Sequence, residues 1–266
     1  MVSKVSVVLP CYRAGAIAAV TVTRLKQALT ESFGQWEIVI VDDGGNDLPG
    51  SLSTGSSAIR ILRLPSNRGK GAAVRAGMLA ATGDVRIYTD VDLPYGAAPL
   101  STIAQLIRER GFHAVIGDRT LPGAVYRKEV AIGRRLASTV FSTFVGRVVT
   151  GGFFDTQCGL KGFRGDVAEA LFAMSRIDRF AFDVELVYVC LKHRLDIKRI
   201  PVQLENNNTS SVRLIRDSVR GFSDVFRIKY HQLLRHYRST ELERIIQSDF
   251  DEFVSSTSVQ LREPTF

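Results

Sequence analysis

Val85-Arg86-Ile87-Tyr88-Thr89-Asp90-Val91-Asp92-Leu93-Pro94 is the stretch on which the reading of this chain turns. Val85 to Tyr88 has the β-branched and aromatic content of a short strand, and Leu93-Pro94 breaks away from it. Two carboxylates one residue apart at a strand's end can converge on a single ion. Oxygen ligands of that kind suit a hard divalent cation, Mg2+ or Mn2+. Such an ion would carry the diphosphate of a nucleotide and neutralise the charge that builds as it departs. A solvated acidic turn closing a strand would use the same letters, so the surrounding chain has to decide.

Outward from this stretch the pattern repeats. Val5 to Leu9, Trp36 to Val41 and Ala58 to Leu64 read as strands, with helices expected up to Leu29 and from Gly71 to Ala81. Strands alternating with helices predict an α/β fold with a mostly parallel sheet covered on both faces. Ligands of such sheets collect at the carboxyl ends of the strands. Pro10, Asp42, Asp43, Asp90 and Asp92 all fall there. Further strands are expected at Ala114–Gly117, within 155–163 and at Ile197–Leu204. Helices are expected at Pro99–Arg110, Gly165–Met174 and Phe182–His193, with a partly buried or interfacial one in Leu136–Phe154.

The net charge of +8 and a pI near 9.6 imply an anionic partner: a nucleotide, a lipid phosphate, a membrane surface or nucleic acid. No nucleic-acid-binding motif accompanies the charge, so no nucleic acid is expected. Cys11, Cys158 and Cys190 are widely spaced, which argues against a zinc site or a disulfide framework and fits a reducing compartment. Met1-Val2-Ser3-Lys4 runs straight into a strand, so no signal peptide is expected. No run of 18 uninterrupted apolar residues is present, which speaks against a transmembrane helix.

Asn67-Arg68-Gly69-Lys70-Gly71 is a glycine-punctuated basic loop entering a helix, where close backbone approach and Lys70 favour an anion. Gly71 stands where a Walker loop needs Ser or Thr, so it is not one. Arg119, Arg127, Lys128, Arg134 and Arg135 form either a solvated basic face or a clamp for an acceptor phosphate. Asp155-Thr156-Gln157-Cys158-Gly159-Leu160-Lys161 and Arg179-Phe180-Ala181-Phe182-Asp183-Val184-Glu185 put acids beside basic or amide groups, as a structural ion-pair network also would. Cys158 and Cys190 read as buried small residues rather than nucleophiles.

Val7-Val8-Leu9-Pro10, Val41-Asp42-Asp43-Gly44, Gly69-Lys70-Gly71 and Asp90-Val91-Asp92, in this order, resemble the family 2 glycosyltransferases of the GT-A (Rossmann-like) fold. The 155–161 and 179–185 segments look like the polyprenyl-phosphate branch of that family. The resemblance covers about residues 4 to 235. It implies that Pro10, Tyr12 and Asp42 frame the nucleotide base, that Lys70 lies near the donor, and that Asp90 and Asp92 hold the metal and diphosphate. It further implies that Arg119 and Arg134 or Arg135 meet the acceptor phosphate, and that Asp155, Gln157, Asp183 and Glu185 line the reaction centre. Two departures stand out. Pro94 replaces a Gln that serves some members as a third metal ligand, and Gly44-Gly45 replaces the usual Gly-Ser.

The expected activity is therefore inverting, metal-dependent transfer of a hexose, glucose before mannose. The donor would be UDP-glucose or GDP-mannose and the acceptor a polyprenyl (dolichyl) phosphate. A soluble acceptor, with Asp183 or Glu185 as base, and a non-catalytic nucleotide-sugar-binding scaffold are the alternatives. Residues 1–211 are expected to form the catalytic domain, 212–238 a basic amphipathic helix, and 239–266 a polar, loosely held tail. In the helix Ile215, Val219, Phe222, Phe226, Tyr230, Leu233 and Tyr237 recur at helical spacing among seven Lys and Arg residues. Such a helix can lie on an anionic membrane surface or pack on the domain, so the expected location is cytoplasmic, peripheral to the cytoplasmic face of a membrane. The sequence carries no signal for an oligomeric state.

Overall fold

Alternation within the strands sends successive side chains to opposite faces, and here both faces are apolar. In the computed structural model, residues 3–52, 56–125, 143–147, 149–152, 155–205 and 214–260 are described, with 214–222, 253 and 256–260 described by backbone alone. Val5, Val7 and Leu9 of β1 (Lys4–Cys11) face a core built with α1 (Gly15–Ser32) and α3 (Ala98–Arg110). Val8 of the same strand faces the opposite core, shared with α2 (Lys70–Ala80), α4 (Gly165–Met174) and α5 (Phe182–Lys192). Burial on both faces is why these strands read as continuous apolar runs rather than alternating ones.

The remaining strands are β2 (Gln35–Asp42), β3 (Ile59–Arg63), β4 (Val85–Thr89), β5 (Ala114–Asp118), β6 (Leu160–Arg164) and β7 (Ile197–Pro201). They form one seven-stranded sheet in the order β3-β2-β1-β4-β6-β5-β7. All neighbours are parallel except that β6 runs antiparallel between β4 and β5. From β1 the chain moves one way through β2 and β3, then returns to place β4 on the other side of β1. The carboxyl ends of β1 and β4 therefore flank a topological switch point, where an open α/β sheet leaves a crevice.

The C-terminal part differs from the sequence expectation. Helix α6 (Leu214–Leu233) is followed by α7 (Thr240–Gln260), in place of the loosely held tail expected from Ser239 onward. Ser239 Oγ accepts the backbone N–H of Leu242 at 3.1 Å, with Glu241 and Glu243 in the first turn. Both features favour a helix start. Leu242 and Ile245 enter the same core as α2, α4 and α5, joined by Val225, Ile228 and Tyr237. Helices α6 and α7 thus pack on the catalytic sheet's own core through Val225, Ile228, Leu242 and Ile245.

A polar latch reinforces that docking. Buried His113 accepts the N–H of Asp196 on Nδ1 at 2.9 Å, which leaves Nε2–H to donate to Asp249 of α7 at 2.6 Å. Arg164 reaches the same Asp249 carboxylate at 2.9 Å.

Helix α6 also turns its faces otherwise than the heptad-like spacing suggested. Val225 and Ile228 are buried, whereas Phe226, Tyr230 and Leu233 are 65%, 58% and 80% exposed. Tyr237 leaves that stripe after the helix ends and is fully buried. No helix among the described residues is long and apolar enough to cross a membrane.

Candidate active site

The β4 strand delivers Asp90 and Asp92 to the switch point, both partly exposed. The turn beyond them passes through Leu93 in the left-handed region (φ 46), and Arg13 beyond β1 is also left-handed (φ 51). Non-glycine residues enter that region only where their surroundings impose it. Lys70, the first residue of α2, brings Nζ to 2.5 Å from Asp90 Oδ1. Burial alone would lower the proton affinity of Lys70, but the carboxylates of Asp90 and Asp183 outweigh it and raise it.

The backbone beneath Lys70 is pinned. Asp43 accepts the N–H groups of Arg68 and Gly69, each at 2.8 Å, and the Asp178 carbonyl accepts from Ala72 at 3.0 Å. Gly69 itself has φ 112, a conformation that glycine takes readily.

Behind Asp90 lies Gly159. Its carbonyl accepts the Asp90 N–H at 3.2 Å, and a β-carbon placed on it would stand 2.0 Å from Asp90 Oδ2. Deeper in the same wall is a buried charge network. Asp183, in the first turn of α5, accepts on Oδ1 from the Tyr88 hydroxyl at 2.5 Å and from the Lys161 ammonium. Lys161 is fully buried and also donates to the Cys158 carbonyl at 2.8 Å. A buried ion pair of this kind persists because its hydrogen bonds are satisfied, and removing one partner strands the other. Phe182 completes the wall, with Lys70 Nζ 5.8 Å from its ring centroid.

Other candidates sit elsewhere or serve differently. Asp42 is fully buried and accepts from the backbone N–H groups of Gly45 at 2.7 Å and Asn46 at 3.1 Å, so its carboxylate shapes the turn after β2. Glu185 is also fully buried. It accepts from the N–H groups of Arg176 and Ile177 and from the Tyr237 hydroxyl at 2.6 Å. Burial raises its pKa against those three bonds. Its oxygens are turned to the core, which removes the geometric case for Glu185 as a base on substrate.

Arg119 grips Asp155 through its side chain, with Nη2 at 2.6 Å from Oδ1, and through its own N–H at 2.6 Å from Oδ2. Both residues therefore fasten the β5 loop to the 155–159 loop. Pro10 is half-buried, while Tyr12 and Gln157 are exposed near the same strand ends, and the Arg13 guanidinium stacks 5.2 Å from the Tyr12 ring centroid. Arg127, Lys128, Arg134 and Arg135 lie outside the described residues. The three thiols are buried, and burial pushes Cys11 and Cys158 up to about 11 and Cys190 to about 12. They are not poised as nucleophiles.

Sequence reading gave no individual role to Tyr88, Lys161 or Gly159. A lysine inside an otherwise apolar strand, Leu160-Lys161-Gly162-Phe163, was the available signal for one of them.

No cluster of three or more metal-binding side chains occurs among the described residues. The donor set at the switch point nevertheless fits a hard cation. Asp90 and Asp92 stand two positions apart at the end of β4, both partly exposed; Asp90 already faces a cation in Lys70, and Gly159 has no β-carbon to clash with the Asp90 carboxylate. Remaining ligands would have to come from phosphate and water, the usual arrangement for Mg2+.

A mostly parallel sheet with paired carboxylates at its switch point defines the GT-A class of glycosyltransferases, and solved structures of that class share the fold. Glucosyl-3-phosphoglycerate synthase from Mycobacterium tuberculosis, in complex with Mn2+, UDP and glucosyl-3-phosphoglycerate, matches with a TM-score of 0.62 at 18% identity, covering 85% of this chain and 80% of that one. Mannosyl-3-phosphoglycerate synthase from Rubrobacter xylanophilus matches with a TM-score of 0.62 at 18% identity, covering 90% and 76%.

The chain belongs to glycosyl transferase family 2, whose model matches residues 6–172. It is similar to the dolichyl-phosphate beta-glucosyltransferase of Dictyostelium discoideum, 32% identical over 75% of this chain and 64% of that protein. The enzyme of the same name from Saccharomyces cerevisiae is 28% identical over 89% of this chain and 77% of its own length. The chain thus spans less than two thirds of the first relative.

Proposed function

We propose that this chain is an inverting, divalent-cation-dependent hexosyltransferase that moves glucose, or failing that mannose, from a nucleotide sugar to a polyprenyl phosphate at a membrane surface. The pairing of Lys70 with Asp90 at the switch point, with Asp92 two residues further along the chain, carries this reading. UDP-glucose is the favoured donor, with GDP-mannose next. Likeness to dolichyl-phosphate beta-glucosyltransferases supports the sugar and the lipid acceptor.

Lys70 opens α2, so its ammonium and the positive end of that helix's dipole both favour the donor diphosphate. Mg2+ or Mn2+ held by Asp90 and Asp92 would neutralise charge on the leaving diphosphate. An acceptor phosphate oxygen bonds to the anomeric carbon as the bond from that carbon to the diphosphate breaks, inverting the centre. That oxygen is already anionic at neutral pH, so no base has to remove a proton from it. This accords with Glu185 facing the core and with Asp183 taking two donors on one oxygen. Positioning and electrostatic stabilisation then provide most of the acceleration.

Arg119 and Arg134 or Arg135 are assigned to the acceptor phosphate, Arg119 being held at the end of β5 by Asp155. The exposed stripe Phe226, Tyr230 and Leu233, flanked by Arg227, Lys229 and Arg235, supports contact with the headgroup region of an anionic membrane surface. The cytoplasmic face of a membrane is the proposed site of action.

Incubation with labelled UDP-glucose or GDP-mannose plus polyprenyl phosphate, followed by solvent extraction, tests the reading. Label should enter the lipid phase with Mg2+ or Mn2+ and stay aqueous with EDTA. Label transferred only to a soluble acceptor overturns the lipid assignment.

A further inference from the structure

Asp90 already has a cation. Lys70 Nζ lies 2.5 Å from its Oδ1, while Oδ2 is backed by Gly159, where even a β-carbon would not fit. A divalent ion that uses Asp90 must therefore compete with an ammonium on the accessible oxygen. Both cations cannot share that oxygen closely without strong repulsion in a partly desolvated site.

The anchoring of Lys70 tells which partner moves. The backbone on either side of it is held, Arg68 and Gly69 by Asp43 and Ala72 by the Asp178 carbonyl. Lys70 reaches Asp90 on a four-carbon stem with rotatable bonds, and its ammonium is a point charge that accepts any anion within reach. Asp90 is the shorter side chain, and Gly159 stands directly behind its Oδ2. The anion offered to a displaced Lys70 is the diphosphate that arrives with the metal.

We propose that Lys70 is an exchangeable countercation of Asp90: it neutralises the carboxylate in the empty site and passes to the donor diphosphate when metal and nucleotide bind. The inference rests on the donor-site reading above and adds a coupling to it. Metal alone must displace Lys70 with no new anion for the ammonium, so it binds weakly. Nucleotide diphosphate supplies that anion, so each ligand strengthens the other, reciprocally. The site then does not retain a metal ion without its donor.

The test is binding rather than turnover. Mn2+ is titrated, by electron paramagnetic resonance or calorimetry, into wild type, Lys70→Met and Lys70→Arg, each alone and with UDP, with GDP in a parallel arm. Lys70→Met should tighten Mn2+ alone on the order of tenfold and reduce the mutual strengthening of Mn2+ and UDP by a similar factor. Metal-free UDP binding should weaken. Lys70→Arg can grip the carboxylate with two N–H bonds, so it should weaken Mn2+ alone further. This second variant keeps the proposal testable if the Met variant fails to fold.

Mn2+ binding that is unchanged or weaker in a folded Met variant, or unchanged in the Arg variant, overturns the exchange. Wild type that binds neither Mn2+ nor either nucleotide overturns the donor site itself, and the exchange with it.

Discussion

Gly159 stands directly behind Asp90: it accepts the Asp90 N–H at 3.2 Å, and a β-carbon on it would lie 2.0 Å from Asp90 Oδ2. The loop before β6 thus sets where the first carboxylate of the Asp90-Val91-Asp92 motif can point. Gly159→Ala should push that carboxylate aside while leaving the hydrophobic core intact. A displacement of this size at a reacting centre is worth about 100-fold in turnover. The melting temperature should fall by only a few degrees, and steady-state kinetics beside a thermal melt separate the two effects.

Asp92→Ala should remove most turnover while the protein stays folded, since Asp92 is only partly buried. A cation clamp supplies several kcal/mol of charge stabilisation, so a loss of about 100-fold or more is expected. The check is activity against Mn2+ concentration, with and without EDTA. Undiminished activity of the folded variant in EDTA would exclude the metal role.

Acid stability should depend on Glu37. Burial alone would raise its pKa, but bonds from Ser6 Oγ at 2.7 Å and Thr82 N–H at 2.7 Å, with Lys4 nearby, bring it down to about 2. A depressed folded pKa contributes stability that is complete above the unfolded value of about 4.5 and is lost as pH falls towards 2. The contribution is on the order of 3 kcal/mol. Glu37→Gln should flatten the decline in melting temperature between pH 4.5 and 2 relative to wild type.

Arg119→Ala should act first on stability. It leaves the buried Asp155 carboxylate without its guanidinium partner, a loss of about 3–5 kcal/mol where a buried pair is broken. Asp155→Asn in the Arg119→Ala background should recover part of that loss in chemical denaturation. A variant of wild-type stability with only a raised KM for polyprenyl phosphate would instead make Arg119 a direct acceptor ligand.

The two faces of α6 should separate cleanly. Tyr230→Ser with Leu233→Ser changes exposed positions, so stability should move by no more than about 0.5 kcal/mol per site. Flotation with anionic liposomes should nevertheless fall sharply. Ile228→Ala, in the core, should lower stability by about 2–5 kcal/mol. Wild type that ignores anionic liposomes at low salt would make the outer stripe irrelevant to lipid.

Much of the architecture was legible because it is local. Val5 to Leu9, Trp36 to Val41 and Val85 to Tyr88 are too apolar for one-sided strands, and the helices between them keep their own periodicity. The antiparallel β6 was not legible. Leu160-Lys161-Gly162-Phe163 has the same strand composition in either direction, and its neighbours β4 and β5 are far away in sequence. Helix α7 was missed because its charged surface outweighed Leu242 and Ile245, although Ser239, Glu241 and Glu243 marked its start.

By itself the sequence determined the α/β alternation, the gathering of Asp42, Asp43, Asp90 and Asp92 at strand ends, and the resemblance to family 2 glycosyltransferases. Those depend on residue spacing along a few turns or a single strand. The tertiary structure alone decided what each carboxylate does. Asp42 closes a turn, Asp43 anchors the α2 entry, Glu185 receives Tyr237 from 52 residues away, and Asp183 receives Lys161 and Tyr88. Asp90 faces Lys70 across the switch point. An aspartate or glutamate is the same letter in each setting. Its role follows from burial and from which donor the fold brings to within about 3 Å, and chain distance places no limit on that donor.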